Sequence, residues 1–246
     1  VNLLERMKYD RIFVVSPSVK SNKDLMDRLK LDPMDVFEDV NDISLLDEIK
    51  RRIEQERDDL ELYRKKKKQF DQIMSNGGKR LSDDTLMSMY SPGTMGFTAP
   101  THRYNGKQPM MCILFDDCVG SLLFTKGIRK LNQLVIYHRH LGQFQEGGAL
   151  GCSLFFLVQS YKCQAGGISK CIRGNVTSLA VGKTKSGKEL LDIAEECSNE
   201  VSQEQFLALH KHATGESKYD FLFIDFHPKD EHPSGFRQNL SPFLIP

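Results

Sequence analysis

CILFDD, residues 112–117, sets four apolar side chains directly before two carboxylates. An uninterrupted apolar run of this length fits a strand buried on both faces of a parallel sheet, because a half-exposed strand would alternate. The acids then fall at the strand's carboxyl end, where the loops of open parallel sheets hold their ligands. Neighbours on a strand point to opposite faces, so Asp116 and Asp117 cannot straddle a bond as the paired acids of a glycosidase do. They suit sites in which the first carboxylate holds magnesium and the second orients or deprotonates an attacking water.

Working outward, two further runs read as buried strands. YDRIFVVSPS (9–18) is β-branched and aromatic until Ser-Pro stops it, and GCSLFFLVQS (151–160) runs into Gln159. Helical patterns lie between the strands: KSNKDLMDRLK (20–30), with Ser21 or Asn22 near its cap, follows the first run, and KGIRKLNQLVIYHRH (126–140) follows CILFDD, ahead of the run at 151–160. A short helical piece in GGISKCIRGN leads to the strand VTSLAVG (176–182). SGKELLDIAEEC and SQEQFLALHKHA read as two helices before the closing strand YDFLFIDFHP. Apolar strands alternating with helices predict an α/β fold, a mostly parallel sheet covered by helices on both faces.

Between the first two strands lies a long insertion, residues 44–109. Leu45, Ile49, Ile53, Leu60, Tyr63, Phe70 and Ile73 recur at helical spacing amid charge, which predicts one amphipathic helix over 44–74 with a narrow seam. At 1.5 Å per residue it is roughly 45 Å long. Lys65 to Lys68 on it suit a solvated face or a phosphate backbone. Asn76 to Pro109 is dense in turn signals (NGGK, SPGTMG, NGK) and reads as an irregular or mobile loop that could serve as a lid or pore element.

The chain of 246 residues has length for one α/β domain with insertions, and its 39% apolar and 27% charged residues place it among folding proteins. A formal net charge of +1 leaves any polyanion binding to local patches. No run nears the roughly 18 apolar residues of a membrane span. Six cysteines without a C-x-x-C pair fit reduced structural thiols in an intracellular setting. Because it opens on Val1, within what looks like the end of a helix, the sequence reads as a fragment of a longer chain.

GKTKSGKE (182–189) imitates the phosphate-cradling loop G-x-x-x-x-G-K-[ST], but Glu189 stands where Ser or Thr would bind magnesium, and the stretch follows the acid and Gln strands. It reads as a basic turn, with Ser186 capping the next helix. His138, His140, His210 and His212, and the trio Asp225, His227 and His232, match no tight metal spacing, and Cys118 has no persuasive histidine partner in sequence. Arg139 closes the helix before the Gln strand, where it suits either the helix dipole or a neighbouring subunit's nucleotide.

The order CILFDD, RHLG, FFLVQSY, IRGN with VTSLAV, then FLFIDFHP and FRQN resembles the genome-packaging ATPases of large double-stranded DNA viruses and their virophage or polinton-like relatives, in the FtsK/HerA group of P-loop motors. The likeness runs from YDRIFVVSPS nearly to the C-terminus. It implies a RecA-like P-loop NTPase core lacking here its first strand and P-loop, ATP and Mg2+ as cofactors, a homo-oligomeric ring, and translocation of double-stranded DNA into a capsid. Capsid proteins would be partners, and the setting a virion or a host-cell viral factory. By the resemblance Asp116 is the magnesium acid, Asp117 the catalytic acid and Gln159 the strand-end Gln. Arg139 is the candidate trans arginine finger and Arg173 its competitor. The phosphate loop should precede the strand at 9–18, so the chain as it stands is expected to bind ATP poorly. A cellular or plasmid translocase of the same group, and a nucleotide-free capsid-vertex subunit, are the alternatives.

Overall fold

A computed structural model describes residues 4, 7–19, 23–76, 81–91, 96–162, 166–197 and 199–246. The residues group into two compact units, Val1–Cys118 with Ile136–Leu157, and Val119–Val135 with Val158–Pro246.

The first unit is built on a four-stranded parallel sheet in the order β2 (Val36–Phe37), β1 (Arg11–Val15), β5 (Met111–Asp116), β6 (Ser153–Leu157). The three runs read as buried strands are thus neighbours in space. Strand periodicity divides their side chains. Ile12, Val14, Val36, Cys112 and Leu114 pack on one face with Leu4, Val19 and Leu31. Phe13, Val15, Ile113 and Phe115 point to the other face and are equally buried, with Phe115 stacked on Phe156 at 4.9 Å. In β1 and β5 burial on both faces accounts for the missing alternation. β6, read as equally buried, is only partly so, because as the last described strand of the sheet it is covered less and its Leu157 is exposed. Helix α1 (Lys23–Arg28) follows β1. Its proposed cap, Ser21 or Asn22, lies outside the described residues.

The predicted long helix is α2, Leu45–Asn76. Its 32 residues make it about 48 Å long. Asp47 and Glu48 in the first turn complement its dipole. Leu46, Ile49, Ile53 and Leu60 are wholly buried along one stripe. Glu56 falls in the same stripe and is buried too, because its carboxylate meets Arg11, the first residue of β1, at 3.0 Å. Arg11 also forms a two-pronged pair with the buried Asp35 at 2.7 and 2.8 Å, and Arg52 reaches Asp35 at 3.1 Å. The turn signals NGGK and SPGTMG fall largely outside the described residues, and the described part of 81–109 is more regular than a loop. It holds α3 (Asp83–Met89, capped by Ser82) and a two-stranded hairpin, β3 (Tyr90–Ser91) with β4 (Gly96–Phe97).

A turn at 102–106 then fastens onto α2. His102 Nδ1 accepts the backbone N–H groups of Tyr104 and Gly106 at 3.2 and 3.3 Å, so this nitrogen is unprotonated and the ring proton sits on Nε2. Gly106 has φ +78°, and a Cβ there would fall 2.4 Å from the Tyr63 ring, so only glycine lets the turn close against the helix.

The second unit carries its own antiparallel sheet, in the order β10 (Phe243–Leu244), β9 (Phe236–Gln238), β8 (Phe221–Asp225), β7 (Ser178–Gly182). Helices α6 (Gly187–Glu196) and α7 (Gln203–Ala213) connect β7 to β8 and share a core with Val181, Leu222 and Ile224. Helix α4 spans Ile128–Tyr137 and helix α5 spans Lys170–Arg173. The expectation of one mostly parallel sheet therefore holds for four strands only. Strands 178–182 and 221–225 pair antiparallel, because two helices in series return the chain in the opposite direction where one helix would have returned it parallel.

Candidate functional site

The carboxyl rim of the parallel sheet gathers Ser16, Asp116, Asp117 and Cys118. Asp116 is the last residue of β5 and lies opposite Leu157, the last of β6. It is partly exposed, and its Oδ2 accepts the hydroxyl of Ser16 at 3.1 Å. Ser16 is the residue after β1 and is completely buried. A carboxylate at the end of an apolar strand, open to water on one side and hydrogen-bonded on the other, stays available to a hard cation while being held in one orientation.

Asp117 breaks the strand. Its φ is +53°, in the left-handed region that aspartate tolerates better than most residues, and its side chain is exposed. Its N–H still donates to Leu157 O at 3.3 Å, so the turn stays laced to the tip of β6. The next residue locks the turn from below: Cys118 is buried, with Sγ 3.2 Å from Val15 O. Burial pushes the Cys118 thiol up to about 12, which leaves it inert as a nucleophile. Burial likewise raises Cys112 and Cys197 to about 12. The described cysteines are free thiols, and Cys163 lies outside the described residues.

The remaining candidates stand as follows. Gln159 is exposed two residues beyond β6, and the chain at that point already belongs to the second unit. Arg139 lies in a tight helical turn, His138–His140, just after α4, and its side chain is exposed. The turn is fastened to the approach to β6: Cys152 N–H donates to His138 O at 3.0 Å, and Gly151, at φ +67°, passes so close that a Cβ would lie 3.3 Å from Arg139 O. Arg173 is committed elsewhere. Its guanidinium donates to Glu196 at 2.7 Å and to Ile168 O at 2.5 Å, and it lies over the Tyr161 ring at 5.6 Å.

The stretch 182–189 is a strand-to-helix turn between β7 and α6. Ser186 caps α6 by accepting Glu189 N–H at 3.3 Å, as expected from sequence. Glu189 faces no open cradle: its carboxylate takes the Ser160 hydroxyl at 2.7 Å and Tyr161 N–H at 2.9 Å. Among the described residues, no group of three or more His, Cys, Asp or Glu side chains is placed to hold a metal ion by itself. Asp225 is tied to His227 N–H at 3.1 Å and lies 3.7 Å from Arg237. His210 Nε2 is 3.0 Å from Gly182 O.

A cleft of about 890 Å³ also opens beside α2, with Arg11, Glu56, Tyr63 and His102 in its walls. It lies at the amino end of β1, opposite the rim where parallel sheets place their chemistry, so the acids remain the better candidate. Sequence reading missed Ser16, whose only signal was a serine where an apolar run stops. It also missed Glu56, whose signal was a carboxylate at a seam position between Ile53 and Leu60.

Compared with protein-family models, with curated proteins and with solved structures, the chain finds no match in any of the three.

Proposed function

We propose that the protein is an ATP-driven motor subunit that moves double-stranded viral DNA into a capsid, with catalysis at the rim of the parallel sheet. The observation that carries this reading is Asp116, the terminal residue of a central parallel strand, partly exposed and oriented by a buried hydroxyl, with Asp117 turned out beside it. In such a site one carboxylate suffices for the metal, since phosphate oxygens and water complete the shell of a magnesium ion. Magnesium bound there would neutralise charge developing on the phosphates.

This chain's own residues would divide the work. Asp116 would hold the metal. Asp117, free of the strand's pleat, would hold or accept a proton from the attacking water. Gln159 would orient that water, and Arg139, exposed on a backbone fastened at both His138 and Gly151, would reach the nucleotide of an adjacent copy in a ring. Arg173 is the weaker choice because Glu196 and Ile168 O already occupy its guanidinium. The segment 182–188 does not fit as the phosphate cradle, given the engagements of Glu189.

The test is ATP hydrolysis by the full-length protein with and without duplex DNA. DNA-stimulated turnover that Asp117→Asn removes supports the motor. No turnover in either condition overturns it and leaves a nucleotide-free capsid-vertex subunit.

A further inference from the structure

Ser16 stands one residue past β1, and the register that sets Val15 opposite Phe115 brings it level with Asp116 on the same side of the sheet. Its backbone is pinned from the other flank, where its N–H donates to Phe37 O at 3.0 Å. Among the described residues the hydroxyl meets Ser18 N–H at 3.4 Å and Asp116 Oδ2 at 3.1 Å. A hydroxyl carries a single proton, and an ionised carboxylate can only accept. With Ser18 N–H directed at the hydroxyl oxygen, the proton of Ser16 belongs to Asp116. On packing grounds alone this fully buried place after Phe13, Val14 and Val15 would suit alanine or valine, since a buried hydroxyl is costly unless it is satisfied. What satisfies this one is the carboxylate.

We propose that Ser16 is a positioning residue for Asp116. By holding Oδ2 it fixes the rotation of the carboxylate, so that Oδ1 is the oxygen presented to a divalent cation. A carboxylate already ordered loses less freedom when the cation arrives than one that swings in water. The inference rests on the reading of Asp116 as the metal acid.

The experiment is Mn2+ binding in the presence of ATP, read by electron paramagnetic resonance of the free ion, on the full-length protein. Ser16→Ala is expected to weaken Mn2+ binding by about tenfold or more, and Ser16→Thr to keep most of the wild-type affinity. In an Asp116→Asn background Ser16→Ala should add no further loss, because the group it positions is gone. An equal loss in both backgrounds, or wild-type affinity in the single variant, overturns the positioning role while leaving Asp116 as the metal acid. Failure of the wild-type protein itself to bind Mn2+ with ATP overturns both together. Should Ser16→Ala not fold, Ser16→Cys, similar in shape with a weak donor, takes its place with the same outcomes.

Discussion

Glu56 Oε2 accepts a hydrogen bond from Arg11 Nη1 at 3.0 Å, which ties the middle of α2 to the first residue of β1. Both side chains are largely buried, at 6% and 12% exposure, so removing Glu56 leaves a buried guanidinium with Asp35 as its remaining acid. Glu56→Ala should cost about 3 kcal/mol in urea unfolding. A loss below 1 kcal/mol would mean that Asp35 alone compensates Arg11.

Glu48, one turn into the same helix, makes the contrasting case. Hydrogen bonds from Arg51, then Arg52, lower its carboxyl from 4.5 to about 2. A depressed folded value means that the stabilisation is fully present above 4.5 and is lost as pH falls toward 2. Solvent screening on this exposed face keeps it under about 1 kcal/mol. Wild type and Glu48→Gln should thus differ slightly at neutral pH and converge as pH falls through about 2 in acid-unfolding curves.

The two rim acids should separate by role. In the full-length protein, Asp117→Asn is expected to lower DNA-stimulated ATPase by about 100-fold or more while nucleotide binding persists. Asp116→Ala should weaken binding of magnesium-ATP as well. Wild-type turnover from either variant would remove the assignment.

Completing the look-alike motif by Glu189→Ser should bring no gain in nucleotide affinity, measured with a fluorescent ATP analogue. It should instead destabilise the protein by about 1–3 kcal/mol, since Tyr161 N–H and the Ser160 hydroxyl lose their acceptor. Tighter nucleotide binding by this variant would make the turn a phosphate site after all.

Arg173→Ala should lower stability by about 1–3 kcal/mol through its lost bonds to Glu196 and Ile168 O. Arg139→Ala should stay within about 0.5 kcal/mol of wild type. Mixed with wild-type subunits, Arg139→Ala should depress ATPase more than in proportion to its share. A proportional response assigns Arg139 to the helix end instead.

What the letters disclosed follows from the range of the forces. Strands β1 and β5 and helix α2 were legible because continuous apolar runs and a helical seam are local patterns that burial enforces directly. β6 was legible as a strand, but its apolar run overstated its burial. The partners of β7 and β8 were not. FLFID reads as buried on both faces, yet only Leu222 and Ile224 are fully buried, and the choice between two sheets is made by contacts far apart in sequence. β9 and β10 were hidden by their shortness, and FRQ carries polar side chains that pass for a loop. At the candidate site both acids were visible. Ser16 was not, since its meaning depends on a partner 100 positions away.

The left-handed backbone at Asp117 limits what evolution and mutagenesis can do there. Asparagine or glycine would sit in that conformation comfortably. A β-branched residue would strain the turn by about 1–2 kcal/mol before any chemistry was touched. Isosteric replacement is therefore the clean probe of this carboxylate, and natural variation at the position should be confined to residues that tolerate the bend.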